Sequence, residues 1–329
     1  MKIAFYDTKD YDKLWFEPLA KEYGYDVVFY ESRFVSDTAI LANGCDAACL
    51  FVNDVIDEKS INMLYDMGVK VILLRCAGYD NIDLKACEGK ITVLRVPSYS
   101  PTAVAEYAAA MMLTLNRKIH KAYTRTREFN FKISGLMGIT LRGKVAGVIG
   151  TGKIGKVMIE ILKGFGMQIL AFDPYPDTSL DVEYVALDEL LKRSDVITLH
   201  CPLSPDTRYI INKNSISKMK DGVILVNTSR GGLVDTQALI DGLRAGKFMG
   251  VALDVYEEED EYFFEDRSND IIQDNELIKL MAYPNVLITS HQAFFTSEAL
   301  EAIARTTLEN LKAFEEGRPL ENEVTLQGK

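Results

Sequence analysis

The stretch GVIGTGKIG, residues 147–155, places glycines at positions 150, 152 and 155. This spacing is typical of a strand-to-helix turn that binds the phosphates of a dinucleotide, although it also occurs in turns that bind nothing. The flanking sequence favours binding, because KVAGVI has the pattern of a buried strand and KIGKVMIEILKGFG has that of a helix. We therefore predict a strand–turn–helix unit in a nucleotide-binding sheet.

The glycines at positions 150, 152 and 155 each have a physical reason. Gly150 allows the tight turn, Gly152 lets the backbone approach a pyrophosphate, and Gly155 allows close packing of the helix on the sheet. The next strand, QILAFD, ends at Asp173, eighteen residues after Gly155. A carboxylate there accepts hydrogen bonds from the adenosine ribose and repels a 2′-phosphate, and DPYP contains no arginine. We therefore expect NAD rather than NADP, with a simple turn residue before Pro174 as the alternative for Asp173.

An α/β rhythm continues on both sides of the glycine turn. Downstream, six apolar runs predict a doubly wound parallel sheet: VAGVIG, MQILAFD, VITLHC, VILVNTS, GVALDV and NVLITS. Upstream, five runs predict a second open α/β sheet: KIAFYD, DVVFYE, AACLFV, VKVILLRC and ITVLRV. Between them, Ser100 as N-cap and Pro101 as the first helical residue predict one long helix over residues 101–128.

The last helical pattern, TSEALEAIARTTLENLKAFEEG, follows the second sheet. The first sheet otherwise has few helices to cover it, and a parallel sheet is normally covered on both faces. We therefore predict a discontinuous domain over residues 1–99 and 299–329, with a second domain, 100–298, inserted into it. The predicted fold class is α/β, with two doubly wound parallel-sheet domains.

The composition limits the partners and the location. Among 329 residues, 48 are acidic and 37 are basic, and the net charge of −11 disfavours nucleic acid as a partner. Five cysteines and three histidines show no zinc-ligand spacing, so we expect no metal site. The sequence contains no signal-peptide pattern and no apolar run long enough for a membrane span, so we expect a cytoplasmic protein. The acidic run YEEEDEYFFEDRSND is typical of a solvated loop.

Hydride transfer between a dinucleotide and a carbonyl also requires a proton, and histidine is the usual donor near neutral pH. His120 lies among basic residues near a helix end, where we expect a solvated face or a helix C-terminal charge. His200 ends the strand DVITLH, where a hydrogen-bonded structural histidine is expected. His291 ends the strand NVLITSH and is followed by Phe294 and Phe295, which are suited to exclude water from a small substrate. His291 is therefore the candidate proton donor.

Two further strand ends of the second domain carry candidate functional groups. Arg230 directly follows the strand VILVNTS, where its planar guanidinium could hold a carboxylate through two parallel hydrogen bonds. A surface salt bridge is the alternative. The strand GVALDV contains Asp254 and leads to three glutamates at 257–259, any of which could orient a histidine. Spacing alone does not choose among them.

In this order on one chain, the motifs resemble the D-2-hydroxyacid dehydrogenase family. The resemblance rests on the glycine turn, Asp173, NTSRGGLVD, ALDVYEEE and SHQAFFT, and it extends over nearly the whole chain. Within the family, RCAGYDNIDL, LKGFGMQILAFDPYP and YFFEDRSNDIIQD are similar to fermentative bacterial D-lactate dehydrogenases. The resemblance implies a Rossmann NAD-binding domain inserted into a discontinuous flavodoxin-like substrate domain.

The resemblance also implies an activity, the reversible NAD-dependent reduction of pyruvate to D-lactate. The family's catalytic arginine falls on Arg230, its acid on Glu259 and its histidine on His291. In this interpretation Arg230 holds the substrate carboxylate, His291 donates a proton to the carbonyl oxygen, and Glu259 stabilises the charged imidazole. The D stereochemistry is implied by the resemblance alone.

Two further groups of site residues come from the resemblance. It implies that backbone N–H groups of Ala77 and Gly78 help to hold the substrate carboxylate, and that Tyr99 and Phe294 surround the substrate methyl group. It implies dinucleotide contacts at Gly150, Gly152, Lys153, Ile154, Gly155, Asp173, Pro202, Thr207 and Thr228, with Asp254 beside the nicotinamide carboxamide.

Alternatives to this function remain. The substrate could be a bulkier 2-keto acid such as 2-ketoisocaproate or phenylpyruvate, or it could be glyoxylate or hydroxypyruvate, because sequence gives pocket volume poorly. An NAD(H)-sensing binding protein with the same fold and triad is the alternative from another class. Because the family usually pairs subunits through the Rossmann domains, we expect a homodimer or a homotetramer.

Overall fold

The computed structural model describes residues 1–326 and divides into two compact units. The first comprises Met1–Ser100 and the chain from Phe295 onward, and the second comprises Pro101–Phe294. The second unit ends at Phe294, whereas we predicted that it ends at residue 298, four residues further along the chain. The difference has a physical reason: the Phe295 ring packs edge-on against Tyr11 of the first unit, with 4.9 Å between the ring centroids.

Five strands form one parallel sheet in the first unit. They are β1 Lys2–Phe5, β2 Asp26–Phe29, β3 Ala47–Leu50, β4 Val71–Leu74 and β5 Thr92–Arg95. Their order across the sheet is β2-β1-β3-β4-β5, which is the flavodoxin-like order. The helices between them are α1 Asp10–Tyr23, α2 Glu58–Asp66 and α3 Leu84–Cys87.

Seven strands form one parallel sheet in the second unit. They are β6 Val145–Ile149, β7 Gln168–Phe172, β8 Glu183–Tyr184, β9 Val196–Leu199, β10 Val223–Asn227, β11 Phe248–Leu253 and β12 Val286–Ile288. The order β12-β11-β10-β9-β6-β7-β8 is the Rossmann order extended by one strand. The helices are α4 Pro101–Arg117, α5 Ile119–Arg127, α6 Lys153–Gly164, α7 Leu187–Arg193, α8 Lys213–Lys218, α9 Thr236–Arg244 and α10 Asn275–Ala282. All six predicted strands are present, and the two-residue β8 is the addition.

The long helix predicted after Ser100 is two helices. It begins at Pro101 as expected, but it breaks at Lys118, which has a left-handed φ of +50° and separates α4 from α5. The buried Asn116 explains the break, because its side chain bonds both the N–H of Ile139 (2.8 Å) and the carbonyl of Ile139 (2.9 Å). Gly138 lies so close to Asn116 that a Cβ there would be 2.3 Å from its carbonyl oxygen. The chain at 138–139 therefore occupies the space in which the helix would have continued.

The last helix, α11 Ser297–Glu315, packs in the first unit, as predicted for a discontinuous domain. Asn310 donates through Nδ2 to the carbonyl of Arg95 at 2.8 Å, and Tyr23 donates to the Glu309 carboxylate at 3.2 Å. These bonds fasten α11 to the end of β5 and to α1. Within residues 1–326, no helix is long and apolar enough to cross a membrane.

Candidate active site

The turn between β6 and α6 uses its three glycines in different ways. Gly150 has a φ of +94°, and a Cβ there would lie 2.6 Å from the backbone of His200 and Cys201. At Gly155 a Cβ would lie 2.1 Å from the carbonyl oxygen of Gly150. At Gly152 nothing lies within 4 Å of a Cβ, so this side of the turn is open. An anion can approach the N-terminus of α6 only if that space stays free, which accounts for the glycine.

Asp173 follows β7 and is held by three hydrogen bonds. Its Oδ2 accepts from the N–H of Thr151 at 2.7 Å and from the Thr151 hydroxyl at 3.0 Å. Its Oδ1 accepts from the N–H of Tyr175 at 2.9 Å, and Tyr184 of β8 donates to the Thr151 hydroxyl at 3.0 Å. The carboxylate is therefore fixed at the carboxyl end of β7, with lone pairs left for ribose hydroxyls.

The residues at this sheet edge fit a dinucleotide. Lys153 and Ile154 form the first turn of α6, where backbone N–H groups lack helical acceptors. Thr228, directly after β10, is buried, and its Oγ1 has no hydrogen-bond partner within residues 1–326. A buried hydroxyl without a partner is unfavourable, so a ligand group here would satisfy it. Pro202 and Thr207 belong to one turn after β9, in which the Thr207 hydroxyl donates to the Pro202 carbonyl at 2.6 Å.

Arg230 stands on a turn that a buried asparagine holds. Asn227, the last residue of β10, donates through Nδ2 to the Arg230 carbonyl at 2.8 Å and accepts the N–H of Ser229 at 3.0 Å. Arg230 donates through Nη1 to the Ser229 carbonyl at 2.8 Å. These bonds orient a partly buried guanidinium at the carboxyl edge of the sheet, where ligands of this fold bind.

One of the three glutamates pairs with the candidate histidine. Glu259 Oε1 lies 2.6 Å from Nδ1 of His291, and Glu259 Oε2 accepts the N–H of Tyr256 at 2.7 Å. Both side chains of the pair are mostly buried, with 13% of Glu259 and 18% of His291 exposed. Glu257 instead accepts hydrogen bonds from other side chains, and Glu258 is exposed. The acidic run is therefore not a simple solvated loop, since two of its members are built into the structure.

His291 sits in a sharp turn after β12 that Asp254 holds. His291 has a φ of +53°, and its N–H donates to the Asp254 carbonyl at 2.7 Å. The fully buried Asp254 carboxylate accepts from the Thr289 hydroxyl at 2.6 Å and from the N–H groups of Gln292 at 3.0 Å and Ala293 at 2.8 Å. Burial raises the pKa of Asp254, against the effect of these bonds. Asp254 thus fixes the backbone that presents the imidazole, and its contact with a nicotinamide carboxamide stays a prediction.

Gly231 lets the arginine turn and the glutamate segment meet. A Cβ at Gly231 would lie 2.1 Å from the carbonyl oxygen of Tyr256 and 2.5 Å from the nitrogen of Glu257. Any larger residue would push the turn that carries Arg230 away from the segment that carries Glu259. The three triad residues all belong to the second unit, together with the glycine turn.

The other two histidines occupy structural positions. His200 is buried, its Nε2 lies 2.8 Å from the Thr198 hydroxyl, and burial lowers its pKa to about 4. The expectation of a hydrogen-bonded structural histidine is confirmed. Of the two positions expected for His120, the helix C-terminus is wrong, because the break at Lys118 places it in the first turn of α5, where the residue is partly exposed. There burial, followed by the charge of Lys121, lowers its pKa.

The substrate residues predicted in the first unit lie at the carboxyl edge of its sheet. Ala77 and Gly78 follow β4, and Tyr99 follows β5. Arg95 donates through Nη1 to the Ala77 carbonyl at 2.8 Å, whereas within residues 1–326 no acceptor is found for the N–H groups of Ala77 and Gly78. Such N–H groups suit an anion. Phe294 is buried at the end of the second unit, and the substrate contacts of all four predicted residues stay predictions.

Comparisons with known proteins identify the family of this chain. The family model for the D-isomer specific 2-hydroxyacid dehydrogenase NAD-binding domain matches residues 109–293. The D-lactate dehydrogenase of Escherichia coli (strain K12) is 52% identical over 328 residues, which cover 98% of this chain and 100% of that protein. The chain belongs to the D-isomer specific 2-hydroxyacid dehydrogenase family.

Solved structures resemble this dehydrogenase over its full length. The apo-structure of D-lactate dehydrogenase from Escherichia coli matches with a TM-score of 0.91 and 48% identity, covering 99% of this chain and 100% of that one. The pyruvate reductase of Chlamydomonas reinhardtii matches with a TM-score of 0.93 and 46% identity, covering 98% of each chain. The predicted family and the two-domain α/β fold are confirmed, and the protein is an NAD-dependent oxidoreductase.

Some residues that shape the dehydrogenase site were not predicted. Asn227 lies within the predicted strand VILVNTS, and an asparagine side chain that bonds the backbone two residues further on is a common way to hold a turn. Thr289 donates to Asp254, which is 35 residues away in the sequence, and no local pattern indicates this contact. The N–H of Tyr256 donates to Glu259, three residues further along the chain. Arg95 holds the Ala77 carbonyl, which is 18 residues away in the sequence, and no local pattern indicates this contact either.

Proposed function

We propose that the protein catalyses the NAD-dependent reduction of pyruvate to D-lactate and the reverse reaction. The observation that carries the proposal is the pair of His291 and Glu259, whose Nδ1 and Oε1 atoms lie 2.6 Å apart in the unit that also contains Arg230 and the glycine turn. The substrate is suggested by two relatives, one named D-lactate dehydrogenase and one described as a pyruvate reductase.

In the proposed mechanism Arg230 binds the substrate carboxylate. Its guanidinium offers parallel N–H groups that match a carboxylate, and the bond from Nη1 to Ser229 fixes the plane of the group. A planar fork also fixes the orientation of the keto acid, which a point charge would not do. When bound, NADH supplies the hydride that reduces the carbonyl carbon.

His291 is the proposed proton donor to the carbonyl oxygen. An ionised carboxylate only accepts hydrogen bonds, so Nδ1 of His291 carries the proton that faces Glu259, and Nε2 is the atom that gives a proton to the substrate. The Glu259 charge stabilises the imidazolium before this transfer. In the reverse direction Nε2 takes the proton from the hydroxyl of D-lactate.

Steady-state kinetics of the purified protein test the proposal. We would follow NADH absorbance with pyruvate, 2-ketoisocaproate, phenylpyruvate, glyoxylate and hydroxypyruvate in parallel, and identify the product by a stereospecific assay for D-lactate. The highest kcat/KM with pyruvate, and D-lactate as product, are the expected results. A higher kcat/KM with a larger acid would keep the 2-hydroxyacid dehydrogenase chemistry and reject pyruvate as the substrate.

We also propose that the chain forms a homo-oligomer in the cytoplasm. The segment 129–137, after α5, exposes large apolar side chains: Phe129 84%, Phe131 72%, Ile133 83% and Met137 86%. Several large apolar side chains exposed in one segment are typical of a protein interface. The five cysteines are all buried and unbonded, which suits a reducing compartment.

Sedimentation velocity tests the oligomer. Replacing Phe131 and Ile133 by Asp is expected to convert the oligomer to a monomer, because two charges cannot be buried in an apolar interface. Ile271→Asp is the control, since Ile271 is 85% exposed elsewhere in the same unit. An unchanged sedimentation coefficient in the double variant would show that this segment does not form the interface.

A further inference from the structure

Arg75 is a buried arginine to which the mechanism above assigns no task. It directly follows β4 and is 2% exposed. Its guanidinium carbon lies 4.5 Å from the ring centroid of Phe5 and 4.4 Å from that of Phe51. The planar group is therefore clamped between two aromatic rings, an arrangement that lysine cannot reproduce.

Arg75 and the rings of Phe5 and Phe51 lie where the strand order of the first sheet reverses. Phe5 is the last residue of β1, Phe51 directly follows β3, and these two strands are neighbours in the order β2-β1-β3-β4-β5. In open α/β sheets, ligands bind outside the carboxyl ends of the strands at such a point. Arg75 therefore stands at the position in the first unit where a ligand is most expected.

Burying the charges around Arg75 costs free energy. Its Nη2 donates to the carbonyl of Asp7 at 2.8 Å, and its Nε lies 3.5 Å from Oδ1 of Asp12. Burial raises the pKa of Asp54 to about 6 and raises that of Asp12, in both cases against the positive charge of Arg75. Well-packed apolar residues often replace such buried ions without loss of stability. Stability alone therefore does not account for the cluster.

Arg75 connects two loops at this edge. On one side, Asp54 accepts the N–H of Phe51 at 2.6 Å, and Asn81 donates to the Phe51 carbonyl at 2.9 Å. On the other side, Arg75 is continuous with the loop 76–79, in which Arg95 holds the carbonyl of Ala77. The guanidinium stacks on the first loop while its backbone begins the second.

We propose that Arg75 is a positioning residue for the substrate: clamped by Phe5 and Phe51, it fixes the loop whose Ala77 and Gly78 N–H groups receive the keto-acid carboxylate. The proposal rests on the function proposed above. Arg75 does not touch the substrate, and it acts through the conformation of the loop. Its loss should therefore weaken substrate binding more than the turnover of bound substrate, and it should leave NADH binding to the other unit unchanged.

The test compares Arg75→Met with Arg318→Met in the full-length enzyme. Methionine keeps much of the volume but has no planar charged group, so we expect the KM for pyruvate to rise about ten-fold, with kcat within about three-fold and the NADH dissociation constant within about two-fold of the wild type. Arg75→Lys should not restore the KM. Arg318 belongs to the same unit but pairs with Glu309 and Glu316 on the surface, so its variant should keep the wild-type KM.

A second variant keeps the proposal testable if Arg75→Met does not fold. Asp12→Asn removes the charge opposite Nε with little change in volume, and we expect the KM for pyruvate to rise about three-fold, again without weaker NADH binding. A lower unfolding midpoint with an unchanged KM in these variants would show a purely structural role and overturn the inference. A wild-type enzyme that reduces none of the 2-keto acids would instead overturn the proposed function.

Discussion

The side-chain amide of Asn227 donates a hydrogen bond of 2.8 Å to the backbone carbonyl of Arg230. Its Oδ1 accepts the N–H of Ser229, and the residue is completely buried at the end of β10. Because a buried amide that is bonded through both its oxygen and its nitrogen has one orientation, Asn227 fixes the turn on which Arg230 stands. A buried residue of the sheet therefore determines the direction in which the Arg230 guanidinium points.

Replacing Asn227 by Ala should raise the KM for the keto acid roughly ten-fold, because about 1–2 kcal/mol of hydrogen bonding that orients the turn is lost. Steady-state kinetics and NADH titration measure the effect, and NADH affinity should change little. Asn285→Ala is the matched control, since Asn285 also donates to a backbone carbonyl, that of Phe248 at 3.0 Å. Equal changes in KM in the two variants would contradict the positioning role of Asn227.

Replacing His291 by Gln should lower kcat about 10²- to 10⁴-fold, the usual range for a lost proton donor, with NADH affinity nearly unchanged. Gln fills similar space but cannot exchange a proton near neutral pH. His120→Gln, in α5, is the control and should retain turnover. If the His291 variant kept the wild-type turnover, the proton donor would have to be another residue.

Replacing Arg230 by Lys should raise the KM for pyruvate about ten-fold or more and lower kcat less, because an ammonium replaces the two parallel hydrogen bonds by a point charge. Initial-rate measurements over a wide pyruvate range separate the two constants. Arg244→Lys, at the end of α9, provides the comparison. If kcat fell while the KM stayed constant, Arg230 would act in the transition state rather than in substrate binding.

The strands and the glycine turn could be predicted because their signals are local. The apolar runs of β1 and β6 and the spacing of Gly150, Gly152 and Gly155 need no knowledge of distant residues. Arg230 and His291 are candidates because parallel strands bring their carboxyl ends to one edge and both residues come at such ends, whereas Glu259 is selected among the three glutamates only by the resemblance.

Other features depend on partners that are far apart in the sequence. The break at Lys118 follows from the docking of Ile139 on Asn116, and the choice of Glu259 over Glu257 follows from the turn that places His291. The strand β8 has only two residues, which are too few to show the alternation of apolar and polar residues by which a strand is predicted. Helix propensity and charge patterning could not reveal these features, since each is decided by tertiary packing.

Replacing Asp173 by Ser should weaken NADH binding about ten-fold and raise the efficiency with NADPH, because a carboxylate that repels the 2′-phosphate is removed. Kinetics with both cofactors at saturating pyruvate give the ratio of kcat/KM values. Asp181→Ser is the control, since Asp181 is a fully exposed acid before β8 that pairs only loosely with Lys163 at 3.6 Å. An unchanged cofactor ratio in the Asp173 variant would leave the residue as a simple turn former.

His200 also makes folding stability depend on pH. Burial lowers its pKa from the ordinary value of 6.5 to about 4, so between these values the unfolded chain binds a proton that the folded protein does not. Stability is therefore complete above pH 6.5 and is lost as the pH falls toward 4, with a total of about 3 kcal/mol. Asp54 has the opposite effect, because its pKa is raised to about 6 and the folded protein binds the additional proton as the pH falls.

Replacing His200 by Gln should remove this loss while leaving the effect of Asp54 in place. We expect the difference in unfolding free energy between wild type and variant, measured by urea denaturation, to shift in favour of the variant by about 2–3 kcal/mol between pH 7 and pH 4.5. Gln can still pair with the Thr198 hydroxyl, so the comparison concerns the charge rather than the hydrogen bond. His120→Gln should give a smaller shift, because that ring is only partly buried. A pH-independent difference for the His200 variant would mean that the imidazole is charged in the folded protein and finds a partner for its proton.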